Sequence, residues 1–232
     1  MEVELLEDLA AASRILADQG VFDAAGHVSM RHPDNPERFL MSRSLAPALV
    51  TAHDILELTI EGESLDPRGR APFIERHLHA GIYRHRPDVM AIAHGHSPTV
   101  IPFSLVDAPM RATYHNTAFL AAGVPVFDTR PQFGLTDIVI STAERGDALA
   151  KALGDKSVIL LRAHGFVAVG PSVPVAVFRA IYTEINARVQ VQARLLGTEL
   201  AVLDTAEGQI ADAMNIVTVG RSWELWKRRV TP

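Results

Sequence analysis

Residues 72–96 read PFIERHLHAGIYRHRPDVMAIAHGH, and this stretch decides how the chain is built. Its first half predicts a helix from Pro72 to Tyr83. Proline fits the first turn, where its missing N–H is no loss, and Ile74, Leu78 and Ile82 recur on one face. Its second half holds a continuous apolar run, Val89-Met90-Ala91-Ile92-Ala93, as in a strand buried on both sides. The same alternation extends outward in both directions. Upstream, Leu5, Leu6, Leu9, Ala12 and Leu16 predict a helix over 3–19, with Gly20 to end it. Val28–Arg31 and Arg38–Met41 predict a hairpin around the turn at 32–36, and Ile55–Ile60 a further strand. Downstream, Val124–Phe127 is a weaker strand and Thr142–Leu153 a helix. Val158–Leu161 and Phe166–Val169 are strands flanking Arg162-Ala163-His164-Gly165. Pro174–Leu196 is the longest helix. The tail reads as two helices, Ala206–Met214 and Ser222–Arg229. Strands and helices mix throughout, so the class is α/β or α+β. No linker, repeat or low-complexity run divides the chain, so one domain is expected over 1–232.

Composition narrows the function. The 232 residues carry 22 Lys+Arg against 27 Asp+Glu, a net charge of −5. That balance, with no basic run before Lys227-Arg228-Arg229, argues against a binder of duplex nucleic acid. No apolar stretch is long enough for a membrane span. The start, Met1-Glu2-Val3-Glu4, lacks the basic-then-apolar pattern of a secretion signal, and a cytoplasmic location is expected. With no cysteine there are no disulfides and no thiolate ligands, so any metal must be held by carboxylates and the 10 histidines.

His94-Gly95-His96 follows the buried strand. Residues i and i+2 of an extended chain point the same way, so two imidazoles there can share a metal. A hydrogen-bonded pair of histidines at a strand end is the commonplace alternative. His164 lies between two apolar runs, where a lone histidine is usually structural. Glu75 and His79 are four apart on one helical face, a pairing common on solvated helices. Taken together, three imidazoles and a carboxylate make a facial metal site with open positions, suited to Lewis-acid chemistry.

The run Glu75-Arg76-His77-Leu78-His79, then Arg86-Pro87-Asp88, then His94-Gly95-His96-Ser97, then Arg162-Ala163-His164-Gly165 resembles the class II aldolase/adducin family. So does Gly26-His27-Val28-Ser29-Met30-Arg31, and the likeness extends over about residues 5 to 200. The resemblance implies a three-layer α/β/α sandwich around a central, mostly antiparallel sheet. It implies that His94, His96 and His164 bind a divalent metal (manganese, zinc, cobalt or iron). Glu75 would then be a catalytic acid/base, or a fourth ligand in the absence of substrate. It also implies a homotetramer with active sites between subunits. Trp223 and Trp226, three apart, offer an apolar helix face either to the chain's own core or to a neighbour.

Departures from the family pattern indicate the substrate. The place of the small polar residues that bind phosphate in sugar-phosphate aldolases reads Pro72-Phe73-Ile74, and desolvating a dianion against such groups is costly. The usual asparagine after Gly26 is His27, and the second phosphate segment reads Met41-Ser42-Arg43-Ser44. Arginine forks pair with carboxylates. The chain is therefore similar to a branch acting on hydroxylated aromatic acids, that of the 3-hydroxy-2-methylpyridine-4,5-dicarboxylate and dihydroxyphthalate decarboxylases. The expected activity is a metal-dependent, non-oxidative decarboxylase. Glu75 or His79 would be the proton donor, Arg31, Ser42, Arg43 and Ser44 would hold substrate, and Phe73 and Ile74 would line the ring pocket. Rival readings are an aldolase on an unphosphorylated substrate, an iron-dependent oxygenase, and a non-catalytic adducin-like interaction module.

Overall fold

A computed structural model describes residues 3–197 and 199–231; Met1 and Glu2, part of the start considered above, lie outside them. Seven strands form one sheet. They are β1 (His27–Arg31), β2 (Arg38–Ser42), β3 (Ile55–Thr59), β4 (Ala91–Gly95), β5 (Val126–Phe127), β6 (Val158–Leu161) and β7 (Gly165–Gly170). Their order across the sheet is β3-β2-β1-β4-β7-β6-β5. Every neighbouring pair is antiparallel except β5 with β6. The helices are α1 (Val3–Asp18), α2 (Arg76–His85), α3 (Arg130–Phe133), α4 (Ala143–Leu153), α5 (Val173–Leu196) and α6 (Thr205–Val230).

The period-2 alternation of the strands sorts their side chains into two cores. Val28, Met30, Ala93 and Phe166 join α1, α5 and α6 on one face. Phe39, Met41, Ile92 and Val167 join α2 and α4 on the other. The result is the α/β/α sandwich with a mostly antiparallel sheet. Helices α2 and α4 touch backbone to backbone. A Cβ on Gly81 would collide with the Gly146 backbone, and one on Gly146 with the His77 carbonyl.

Three details differ from the sequence reading. The helix expected from Pro72 starts at Arg76, because Pro72 is held extended in a bridge with Arg43 beside β2. Strand β4 runs on through Gly95, so His94 lies within it. The tail is one helix, Thr205–Val230, opened by a capping box between Asp204 and Glu207. Glycine at position 220 costs a helix interior about 1 kcal/mol, and burying Trp223 and Trp226 against the chain's own core outweighs it. Those two rings are therefore spent within the subunit.

Candidate metal centre

The register of β1, β4 and β7 sets His27 opposite His94 and His94 opposite Val167. Alternation aims His94 to the α2 side of the sheet, with Ile92. Gly95 lets His96 follow closely, since a Cβ there would lie 2.7 Å from the Phe22 ring and 3.0 Å from the Val21 carbonyl. His164 comes from the β6–β7 turn, where Ala163 is left-handed (φ 55°) and donates its N–H to Ser104 Oγ at 3.0 Å. Such a conformation costs a non-glycine residue about 1–2 kcal/mol. Glu75 occupies the N-cap position of α2 but makes no cap hydrogen bond, which leaves its carboxylate to the site.

Glu75, His94, His96 and His164 each offer a ligand atom, all within 4.8 Å of one another. His94 Nε2 lies 3.1 Å from His96 Nε2. Glu75 Oε2 lies 3.3 Å from His94 Nε2 and 3.5 Å from His164 Nε2. His94 Nδ1 donates to the Phe166 carbonyl at 2.9 Å, and His96 Nδ1 to the Asp23 carboxylate at 3.2 Å. With both Nδ1 protons committed, two Nε2 lone pairs and a carboxylate oxygen point at one spot. Without a cation such lone pairs repel; separations near 3 Å are what two bonds of about 2.0–2.1 Å to one metal span. The donor set thus fits a divalent ion, and Asp23 orients His96 in the way carboxylates orient metal-bound imidazoles.

Burial disfavours ionised Glu75, but the imidazoles of His94, His164 and His27 outweigh it and hold the carboxyl well below the usual range. Burial lowers His94, His96 and His27 from their ordinary value, favouring the neutral, ligating form.

The other expected site residues divide. Phe73 is buried with its ring 4.6 Å from that of His27, whereas Ile74 is 62% exposed. Ser42 is buried at the end of β2 and Ser44 is exposed. Arg43 donates Nε to Asp54 at 2.7 Å, and no hydrogen-bond partner occupies its terminal nitrogens among the described residues. Arg31 is not brought to the site. It stands four residues along β1 from His27, roughly 13 Å away. Its guanidinium donates to the carbonyls of Val89, Pro36, Tyr83 and Arg86. His79 is fully buried behind His27, its Nε2 2.8 Å from His27 Nδ1. The sequence reading missed Asp23, and it missed the backbone N–H of Ile140, which holds Glu75 Oε1 at 3.1 Å. A loop amide carries no side-chain signal, and an aspartate before a glycine turn is commonplace.

Residues 7–191 match the family model described as Class II Aldolase and Adducin N-terminal domain. The chain is 35% identical to decarboxylase tropJ of Talaromyces stipitatus, covering 93% of this chain and 90% of that one. It is 29% identical to a 3,4-dihydroxyphthalate decarboxylase of Arthrobacter keyseri, over 94% of this chain and 90% of the relative. Among solved structures, an aldolase II superfamily protein from Pseudomonas syringae superposes with a TM-score of 0.80 at 26% identity, covering 99% of this chain and 92% of that one. An L-fuculose 1-phosphate aldolase from Glaciozyma antarctica does so at 0.79 and 26%, covering 97% and 89%.

Proposed function

The chain belongs to the class II aldolase and adducin family, and from that membership we propose that it is a non-oxidative decarboxylase, a carbon–carbon lyase acting on a hydroxylated aromatic or pyridine carboxylic acid. The observation that carries this reading is kinship over nine-tenths of the chain with proteins named decarboxylases. A sugar phosphate fits poorly, because Pro72, Phe73 and Ile74 offer it no side-chain donor.

His94, His96 and His164 would hold the metal: manganese, zinc, cobalt or iron. When bound, the ion supplies Lewis acidity to the substrate's hydroxyl and carboxylate oxygens and offsets negative charge on oxygen. Glu75, ionised in the resting site, takes the substrate's hydroxyl proton and delivers it to the ring carbon that bears the carboxylate. That carbon becomes tetrahedral and the ring a keto form. The bond to the carboxylate then breaks, carbon dioxide leaves, and the electron pair restores the aromatic ring. Solvent returns a proton to the hydroxyl oxygen. Phe73, buried against His27, would exclude water from that side, which strengthens these interactions. Arg43, pinned through Nε by Asp54, presents its free terminal nitrogens to a second carboxylate, with Ser42 and Ser44 nearby.

The active unit proposed is a single domain assembled as a cytoplasmic homotetramer serving aromatic catabolism. Ile74, exposed one residue from Glu75, supports a site completed by a neighbour. So does an apolar stripe on α6 (Ile210, Met214, Val217, Leu225), opposite the face that buries Trp223 and Trp226. Among the described residues no helix is long and apolar enough to cross a membrane.

A panel of hydroxyphthalates and hydroxypyridine dicarboxylates, assayed without oxygen with each metal, tests the reading. Carbon dioxide release in the absence of oxygen is expected. Glu75→Gln should lower turnover by about 10² or more with near-normal metal content. Cleavage of a sugar phosphate, with no carbon dioxide from any of the acids, would overturn it.

A further inference from the structure

Helix α2 and strand β1 bury more polar groups than metal binding requires. Glu75, His79 and Tyr83 are spaced i, i+4 and i+8, so they stack along one face of the helix and its N-cap. His27 and Ser29, i and i+2, point to one side of β1. The two sets interleave. Tyr83 Oη lies 2.8 Å from Ser29 Oγ, Ser29 Oγ 2.6 Å from His79 Nδ1, and His79 Nε2 2.8 Å from His27 Nδ1. All four residues are buried, and burial favours the neutral form of both imidazoles. At the end of this chain His27 Nε2 faces Glu75 Oε2 at 3.8 Å.

Only one direction of donation suits the whole chain. A lone pair on His27 Nε2 would repel the carboxylate it faces, whereas an N–H is attracted. With that proton on Nε2, Nδ1 accepts from His79 Nε2–H, His79 Nδ1 accepts from Ser29, and Ser29 accepts from Tyr83. Each donor meets the next acceptor. The reverse direction leaves the Tyr83 hydroxyl proton without an acceptor among the described residues. Glu75 is meanwhile pinned at Oε1 by Ile140 N–H, so Oε2 is the end free to move. Moving it from the triad of His94, His96 and His164 to a charge-assisted bond of about 2.8 Å with His27 takes a displacement of roughly 1 Å.

We propose that His27 is the second seat of the Glu75 carboxylate. His79, Ser29 and Tyr83 fix its tautomer, and its Nε2–H receives Oε2 when other oxygens take that position at the metal. This rests on the metal-site reading above. Displaced without such a donor, Oε2 would be buried with no partner of its own, at high cost. His27 and the three residues behind it are positioning residues; the transferred proton travels on Glu75.

The test uses protein labelled with ¹⁵N in its histidines, first metal-free, then with zinc, then with oxalate, an anion that occupies metal positions whatever the natural substrate. In the metal-free protein His27 and His79 should both be Nε2–H tautomers. Oxalate on the zinc form should move the His27 Nε2–H proton downfield, as the bond to Glu75 shortens. An Nδ1–H tautomer at His27, or a His27 proton that ignores oxalate while the zinc-bound imidazoles respond, would overturn the proposal. Neither readout requires turnover, so failure of the decarboxylase assay is separable from failure here. With substrate, His27→Gln, which keeps a donor, should hold kcat within about 10-fold, and His27→Leu should lose about 10², both at unchanged metal content. Equal losses in the two variants would also overturn it. Should His27→Leu fail to fold, the spectra of the unmodified protein decide.

Discussion

A single side chain can sit at the chemistry yet act only by aiming another. Asp23 accepts the Nδ1–H of His96 as well as the backbone N–H groups of Ala25 and Gly26, so it fixes which imidazole nitrogen faces the ion. Asp23→Asn should weaken metal affinity by about 10- to 100-fold, read by competition with a chelator; unchanged affinity would make Asp23 a turn residue only. Arg43 is the residue whose proposed role depends on substrate charge. Losing one charge-assisted pair of about 1.5–3 kcal/mol, Arg43→Ala should raise KM about 10- to 100-fold for a dicarboxylate and much less for a monocarboxylate. Equal losses on both would reduce Arg43 to a partner of Asp54. Arginine type alone could not separate Arg43 from Arg31. Four backbone carbonyls consume Arg31, and the sequence gives no sign of where those carbonyls lie.

The element that matters most is α2, because Glu75, His79 and Tyr83 all ride on it. Its position is fixed by α4 through the Gly81–Gly146 contact, where there is no room for a methyl group on either side. Gly81→Ala improves helix propensity by about 1 kcal/mol, yet overpacking typically costs about 1–3 kcal/mol. The net expectation is a lower denaturant midpoint, and reduced activity as Glu75 shifts relative to the triad. A stabilised variant of full activity would show that the helices separate freely. The helical pattern of 76–83 and the buried run of β4 were legible from hydrophobic spacing. The start of α2 was not, because the bridge that holds Pro72 extended is made with a residue 29 positions earlier in the chain.

Over the whole molecule, the buried imidazoles link stability to pH. His27, His79 and His94 are all lowered from 6.5 by burial. On acidification the unfolded chain therefore takes up protons first, and the metal-free protein should lose stability as pH falls through about 6.5. Glu75, also held low, adds to that loss below about 4.5. Melting temperature measured between about pH 7.5 and 5.5 should fall steadily, and a saturating divalent ion should raise it by adding, through mass action, about 2.7 kcal/mol of stability at 100 times Kd. A flat profile would mean that these histidines are solvated in solution.

The sequence by itself determined the alternation of strands and helices, the family, and the four groups that converge as a ligand set. Period and spacing are local properties, and His-x-His, Glu-x-x-x-His and His-Gly are local patterns. Only the tertiary structure decided which arginine keeps its terminal nitrogens unpaired among the described residues, that both tryptophans close the chain's own core, and that His79 stands behind His27. Each of those outcomes depends on partners far apart in the chain, meeting across the sheet or through α2, and on burial that commits a polar group to whichever partner the packing supplies.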